Sequence, residues 1–504
     1  MKITLAHAPL HPADIARMCG GTLLSRADIP APIKHICTDS REVDGETLFV
    51  AIRGERVDGH RFLPAVAAAG CPAFLCDHVP DGWTSDPALA GAAAILVPDT
   101  VAALAALSAA YRTDALPHLT VVAITGSVGK TTTKETVAAT LAAARRVFKK
   151  DGNYNSTIGL PLSCLEIGRE TETAVLEMGM SSRGEIAAMT AAARPDVAII
   201  ANIGTSHLEH LGTRENIARA KLEIAQGLRP GGALIINGDE PLLAHLGQDF
   251  SHDRPTIPEG IRVLRVSLSG TPGADYTVRR MAPYAGGMQF DLDTPCATYR
   301  DLWIPAPGEH LVWAGAFAVA AAELAGLDES AIRRGLTAYR PADLRQSVRT
   351  IHGVTFLEDC YNAAPESMRA ALGVLDILAA PSAARRIAVL GDMRELGENT
   401  VALHREIGAE VARRGVARLV TVGPLGAEIA RGALEAGMDP AAVTSVTDDG
   451  NDTCAALAAS LAAEVKPGDH ILFKASRAMA LETVSAAVSE AVAARLAHTD
   501  QSES

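Results

Sequence analysis

From residue 119 onward the chain alternates short, unbroken apolar runs with longer alanine-rich stretches. "LTVVAI" (119–124), "TAVLEM" (173–178), "DVAIIANI" (196–203) and "GALIING" (232–238) are strand-length, and none alternates apolar with polar residues. Runs of this kind suit strands buried on both faces, while the stretches at 130–145, 182–194 and 214–228 have helical length. Strand, loop and helix repeated in that order predict a parallel sheet with crossover helices. A more strand-like insertion covers 261–305, and helices at 310–338 close the block. The rhythm returns in "RRIAVLG", "RLVTVG", "TSVTD" and "DHILFKAS", each followed by a helical stretch, which predicts a second, smaller Rossmann-like sheet. Before residue 112 short apolar runs alternate with Gly and Asp turns, and "RTDALPHL" reads as a linker. The expected architecture is α/β in three domains, 1–114, 115–340 and 341–504, with a polar tail "HTDQSES" expected to be disordered.

Length agrees with this division, since 504 residues give room for three units of roughly 150 each. Lys and Arg number 46 against 59 Asp and Glu, a net charge of −13, and no long basic run occurs. Neither nucleic acid nor an anionic membrane surface is therefore an expected partner, and a small molecule fits better. The opening "MKITLAHAPLHPADIARMCGG" lacks the unbroken apolar stretch of a secretion signal, and no apolar run reaches the roughly 18 residues of a membrane span, so a soluble cytoplasmic protein without membrane insertion is expected. The 8 cysteines contain no C-x-x-C pair, which points away from zinc and from a disulfide framework.

Chemistry enters with "TGSVGKTT", Thr125, Gly126, Ser127, Val128, Gly129, Lys130, Thr131 and Thr132, placed between the first apolar run and a helix. Gly126 and Gly129 permit a tight turn whose N–H groups face phosphate oxygens, and the following helix adds its positive end. Lys130 would reach the β- and γ-phosphates and the Thr131 hydroxyl would ligate Mg²⁺. A strict phosphate loop needs Gly at 124, where Ile stands, so the motif is a shortened variant; the plainer reading is a glycine turn with a solvated lysine. Glu177 ends an apolar strand, where ligands gather in such sheets, and is a second candidate for Mg²⁺, with a solvated carboxylate as the alternative. Asn153 and Asn155 either orient phosphate or the acyl group, or make a turn; Asn202 is a similar candidate.

This loop resembles the ATP loop of the Mur ligases, the amide-forming enzymes of peptidoglycan synthesis, and further motifs follow in the family's order. They are "TDSREVDGETLFVAIRGERVDGHRF", "GNYNSTIGLP", "EMGMSSRGEI", "ANIGTSHLEHLG", "ARAKLEI", "DCYNAAPESM", "LGDMRELG" and "KASRAMALE". The resemblance implies a central ATPase-like domain between a UDP-substrate domain and the Rossmann-like domain. It further implies a Mg²⁺ pair held by Thr131, Glu177 and His207, with Lys221 carrying a CO₂-derived carbamate as a metal ligand; Lys130, Glu177, His207 and Lys221 are the implied catalytic set. Without the family pattern His207 reads as a capping histidine and Lys221 as a surface lysine. By the same resemblance Arg345, Asn362 and Asp392 face the nucleotide, alongside Asp359, Tyr361 and Ser367, with Asp392 accepting from ribose hydroxyls. Ser40, Arg41, Asp58, Gly59 and His60 are implied contacts to the UDP-sugar, and Asn155, Lys474, Ser476 and Arg477 to the rest of the substrate.

Among the Mur ligases, "DxYNAxPxSM" with "LGDMxELG" resembles the member that joins D-alanyl-D-alanine to UDP-N-acetylmuramoyl-tripeptide, which makes those two molecules and ATP the implied partners of a monomeric chain. In "PGEHLVWAGAF" Ala314 stands where the family has an asparagine near adenine, so base recognition departs from the pattern. Joining a carboxylate to an amine requires a leaving group on the acid, and phosphoryl transfer from ATP supplies one as an acyl phosphate. The candidate residues lie on two different domains, so the site is complete only when these close on each other. The rival readings are a sibling ligase adding a single amino acid, a folylpolyglutamate synthase-like ligase, a phosphate-loop kinase, and a nucleotide-binding regulator without turnover.

Overall fold

The apolar runs become strands, and the order in which they lie explains where the loops meet. A computed structural model describes residues 1–7, 9–25, 32–79, 81–83, 85–244, 257–447 and 450–502. Its strands form three sheets, of six, nine and six strands. In the first, His35–Cys37, Thr47–Val50, Ala73–Cys76 and Ala93–Leu96 run parallel, flanked by antiparallel edges Lys2–Thr4 and Thr22–Ser25.

The nine-stranded sheet has a parallel core in the order Arg262–Ser267, Ala233–Asn237, Val197–Ile200, Thr120–Thr125, Thr173–Glu177, Val147–Lys149. Tyr276–Tyr284, Gly287–Asp293 and Thr298–Ile304 extend one edge; the first joins parallel and the other two antiparallel. From Thr120–Thr125 the chain goes outward to one side and then returns to build the other side from Val197–Ile200 onward. The strand order therefore reverses between these two neighbours, and a crevice opens beyond their carboxyl ends. In the third sheet Ser347–Ile351 pairs antiparallel with Val354–Glu358, and His470–Lys474, Arg386–Gly391, Arg418–Val422 and Val443–Val446 continue it in parallel. Among the described residues no helix is long and apolar enough to cross a membrane.

The final helix runs from Glu482 to Ser502, so its backbone enters the tail that the polar sequence marks as disordered; the alanine-rich residues before it have high helix propensity. Glu503 and Ser504 lie outside the described residues.

Helices Thr400–Arg413 and Gly426–Glu435 pack so closely that a methyl group at Gly408 would overlap the Ile429 carbonyl, and one at Gly432 the Arg405 backbone. Gly373, in helix Pro365–Ala379, has open space instead, with Arg414 Nη1 3.8 Å away. Gly408→Ala is expected to destabilise the chain by about 1–3 kcal/mol through overpacking, whereas Gly373→Ala is expected to stabilise it by roughly 0.5–1 kcal/mol through helix propensity. Calorimetric unfolding of both variants checks the two opposite signs.

Candidate active site

The loop after Thr120–Thr125 is shaped by two close approaches. A side chain at Gly126 would meet Ala201 Cβ at 3.1 Å, and Gly129 caps helix Lys130–Ala142 at φ 76°, a left-handed conformation that favours glycine. Asn202, just beyond Val197–Ile200, takes two of the loop's donors: its Oδ1 accepts from the N–H groups of Ser127 and Val128, each at 3.0 Å. Among the described residues no protein group meets the N–H of Gly129, Lys130, Thr131 or Thr132. These four donors, at the positive end of a helix, form the anion-binding part of the loop, and the first two N–H groups are structural.

Lys130 folds back so that Nζ donates to the Gly126 and Ser127 carbonyls at 2.8 and 3.2 Å. Enclosure in the crevice pushes its pKa below the usual lysine value; the Glu177 carboxylate works against the shift and Arg345 adds to it. The Thr131 hydroxyl donates to Glu177 Oε2 at 2.7 Å, and Asn155 Nδ2 donates to Glu177 Oε1 at 2.9 Å. Thr125 takes no place in this group, because its buried hydroxyl donates to the Met178 carbonyl at 2.9 Å.

A cavity of about 710 Å³ joins the loop to the third sheet. Besides residues 127–132, Asn155, Glu177 and His207, it is lined by Arg345, Asp359, Tyr361, Asn362, Ser367, Lys474, Ser476 and Arg477. The Arg345 guanidinium lies 4.0 Å from the centre of the Tyr361 ring. Lys474, 1% exposed, pairs with Asp359 Oδ2 at 2.5 Å and donates to the Asn362 carbonyl at 2.9 Å. Ser476 Oγ accepts from Arg394 N–H at 3.0 Å, and Arg477 pairs with Glu482.

His207 has a left-handed backbone, φ 64°, and its Nδ1 lies 2.6 Å from Glu395 Oε2 of the third unit, close enough for an ion pair although the ring nitrogen meets no well-directed hydrogen-bond acceptor. The pair holds the Glu395 carboxyl below its ordinary pKa. Lys221, on helix Arg214–Leu222, is 1% exposed, and among the described residues nothing meets its Nζ. Burial drives its pKa well below the usual lysine value, and the Lys130 charge adds to the effect. It is not a surface lysine.

Several expected contacts fall elsewhere. Asp392 is fully buried and its Oδ1 accepts from Leu425 and Gly426 N–H at 3.0 and 2.8 Å. Through Oδ1 it caps helix Gly426–Glu435, and it does not line the cavity. Asp58 caps the short helix Gly59–Phe62, and Gly59 is needed because any side chain there would strike the Ile52 backbone at 2.8 Å. His60 is buried with both ring nitrogens occupied, Nδ1 by Asp58 at 2.7 Å and Nε2 by the Asp77 N–H at 3.1 Å, while Arg53 holds Asp77 from outside. Asp58 Oδ1, Gly59 and the His60 ring thus help to build the first unit, and all three residues lie outside the cavity. Arg41 is exposed and pairs with Asp39 at 2.6 Å, next to Ser40; both are accessible but lie outside the cavity.

The family models match this same layout: "Mur ligase family, catalytic domain" over residues 32–112, "Mur ligase middle domain" over 124–322, and "Mur ligase, glutamate ligase domain" over 345–477. The UDP-N-acetylmuramoyl-tripeptide–D-alanyl-D-alanine ligase of Bacillus subtilis is 37% identical over 473 residues, covering 94% of this chain and 96% of its own. The chain belongs to the Mur ligase family. It is thus an ATP-dependent enzyme that forms amide bonds. The Acinetobacter baumannii MurF structure superimposes with a TM-score of 0.82 at 29% identity, over 97% of this chain and 100% of the other. A Thermotoga maritima MurF ligase solved with ADP gives 0.76 at 28% identity, over 91% and 98%.

In this Mur ligase the cavity also has walls that the sequence motifs omit. His310, Trp313 and Phe317 project from one side of helix Glu309–Leu324, where the asparagine-like position 314 is occupied by a buried alanine. Trp313 and Phe317 stack at 5.6 Å, and His310 Nε2 meets Gln346 Oε1 at 2.6 Å. Their spacing of three and four residues was visible in the sequence, but on a helix apolar all round it does not distinguish a cavity wall from core. Glu395 and Glu366 reach the middle unit from the third and Arg394 lines the cavity; all three fall inside quoted motifs, but nothing local in the sequence marks those contacts.

Proposed function

We propose that this ligase joins D-alanyl-D-alanine to the terminal carboxylate of UDP-N-acetylmuramoyl-tripeptide through an acyl phosphate, with ATP as the phosphoryl donor. The observation that carries the reading is one continuous cavity holding the four open N–H groups of the loop, Lys130 and Glu177 at one side and Lys474, Asn362 and Arg477 at the other. The triphosphate lies on the loop, Lys130 leaves the two loop carbonyls for its terminal oxygens, and the peptide carboxylate approaches in line. Attack forms the acid's O–P bond as the bond to ADP breaks; the dipeptide amine then forms the C–N bond, losing a proton as phosphate departs. Third-unit residues close the cavity and exclude water from the anhydride.

Thr131 Oγ and Glu177 Oε2 form a hard-oxygen pair suited to Mg²⁺, which lowers the repulsion between triphosphate and carboxylate. His207 and a carbamylated Lys221 are the proposed holders of a second ion. Arg41 and Ser40 are the proposed UDP contacts, in a unit spanning about 1–114 that precedes ATP-binding and Rossmann-like units divided near 340. The chain acts as a monomer in the cytoplasm.

Phosphate release with UDP-N-acetylmuramoyl-tripeptide is expected only when D-alanyl-D-alanine is added, and single amino acids are expected to fail. Oxygen-18 in the acid should appear in the released phosphate; ADP release that ignores the amine would favour a kinase instead. The base of ATP rests against Trp313 at the apolar end of the cavity, so Trp313→Ala is expected to raise KM for ATP about tenfold, the loss of roughly 1–1.5 kcal/mol of aromatic contact, with kcat retained. Steady-state kinetics at varied ATP check the split.

A further inference from the structure

Residues 202–205 leave the sheet at the point where strand order reverses, and they touch both the phosphate loop and the third unit. Asn202 holds the loop, through Oδ1 to the Ser127 and Val128 N–H groups at 3.0 Å each and through its carbonyl to Ser127 N–H at 3.3 Å. Three residues on, Thr205 donates its N–H to Glu366 Oε1 at 3.0 Å and its hydroxyl to Oε2 at 3.2 Å. Glu366 stands in the first turn of helix Pro365–Ala379, part of the third unit. Between them Gly204 gives the carboxylate its room: a side-chain carbon there would lie 2.9 Å from Glu366 Cδ. Arg214 steadies the segment from behind, donating to the Ile203 carbonyl at 2.7 Å while paired with Glu240 at 3.0 Å.

We propose that Glu366 is a positioning residue for phosphoryl transfer, docking the third unit on Thr205 and so keeping Asn202 against the phosphate loop. The inference rests on the ligase reaction proposed above. Glu366 acts through geometry alone. When the third unit swings away, Thr205 loses both acceptors and the short segment behind it is freed at one end. Asn202 then holds the Ser127 and Val128 N–H groups less firmly, and the four donors that follow lose their fixed direction. Phosphoryl transfer depends almost wholly on position and preset dipoles, so the loop becomes competent only when the substrate-holding unit is in place. ATP bound to an open chain is thereby protected from wasteful hydrolysis.

The test is a double-mutant cycle on the full chain, read as kcat and KM for ATP with both acceptor substrates saturating. Glu366→Ala and Asn202→Ala are each expected to lower kcat about tenfold, with KM for ATP changed less than about threefold, and the double variant is expected to be no slower than the slower single one. Glu366→Gln keeps a carbonyl acceptor for Thr205 N–H and should recover most of kcat. Wild-type kcat in Glu366→Ala, or losses that multiply in the double variant, would overturn the proposal. Should Glu366→Ala fail to fold, Thr205→Val removes one of the two bonds from the other side, and the same cycle with Asn202→Ala decides. A wild-type chain without dipeptide-dependent phosphate release would defeat the ligase reading itself; a working wild type with an additive cycle defeats only this inference.

Discussion

Lys130→Met is expected to lower kcat for dipeptide-dependent phosphate release by about 10³-fold, the size of effect seen when a preset cation or donor is removed from a phosphoryl- or acyl-transfer site. Methionine keeps an unbranched stem of similar volume, so the crevice does not collapse and the loss reports charge and donors. The Lys130 ammonium is satisfied by two neutral carbonyls of its own loop, at 2.8 and 3.2 Å. Neither carbonyl neutralises it, and Arg345 adds like charge, opposed by Glu177. A polyanion is therefore a far better partner than the one Lys130 has. Nucleotide binding supplies that partner, and the four unpaired N–H groups beside it draw the phosphates to the same spot. A variant that retains more than a tenth of wild-type kcat would mean that the loop dipoles carry the reaction and that Lys130 is a loop brace.

How far the site could be read from the chain depended on whether its parts are local. The loop was legible because its demands are contiguous: Gly129 at φ 76° starts a helix whose first residues must be Lys and Thr. Glu177 was legible because a carboxylate ending an apolar strand has one direction to face, and it meets Thr131. Asp392 satisfied the same rule and misled, since helix Gly426–Glu435 begins beside it and its open N–H groups claim the carboxylate. Nothing near Asp392 in the sequence announces a helix that starts 34 residues on. His60 misled for a related reason: a polar residue in a turn motif is expected outside, but Asp58 and the Asp77 N–H satisfy it inside. The role of Glu366 was invisible because its partner Thr205 lies 161 residues away, in a loop of the middle unit. The parallel sheets themselves were legible from strand-length apolar runs, whereas the strand order that creates the crevice is a property of the assembled fold.

Lys221→Ala is expected to abolish turnover, by more than the roughly 100-fold that follows loss of an outer-shell partner in a metal site, and short carboxylic acids such as formate or acetate are expected to restore part of it. A lysine at 1% exposure with no partner for its Nζ among the described residues is a poor use of a cation, because an ion taken from water needs an opposite charge to compensate. Lys130 nearby makes matters worse. Both burdens vanish if the nitrogen is not an ammonium. Burial and the neighbouring charge favour the neutral amine, the form that attacks CO₂, and the proposed carbamate would be an anion beside Lys130 and an oxygen donor suited to Mg²⁺. Activity of the wild type should accordingly fall when CO₂ and bicarbonate are stripped from the buffer and return when they are restored, and carbon-13 bicarbonate should give a carbamate resonance that Lys221→Ala lacks. An added carboxylate occupies the space left by the shortened side chain and supplies the same donor atoms without the covalent bond. If the variant is inactive, unresponsive to formate and acetate, and the wild type ignores CO₂, the lysine serves as a bare amine and the proposed carbamate ligand is overturned.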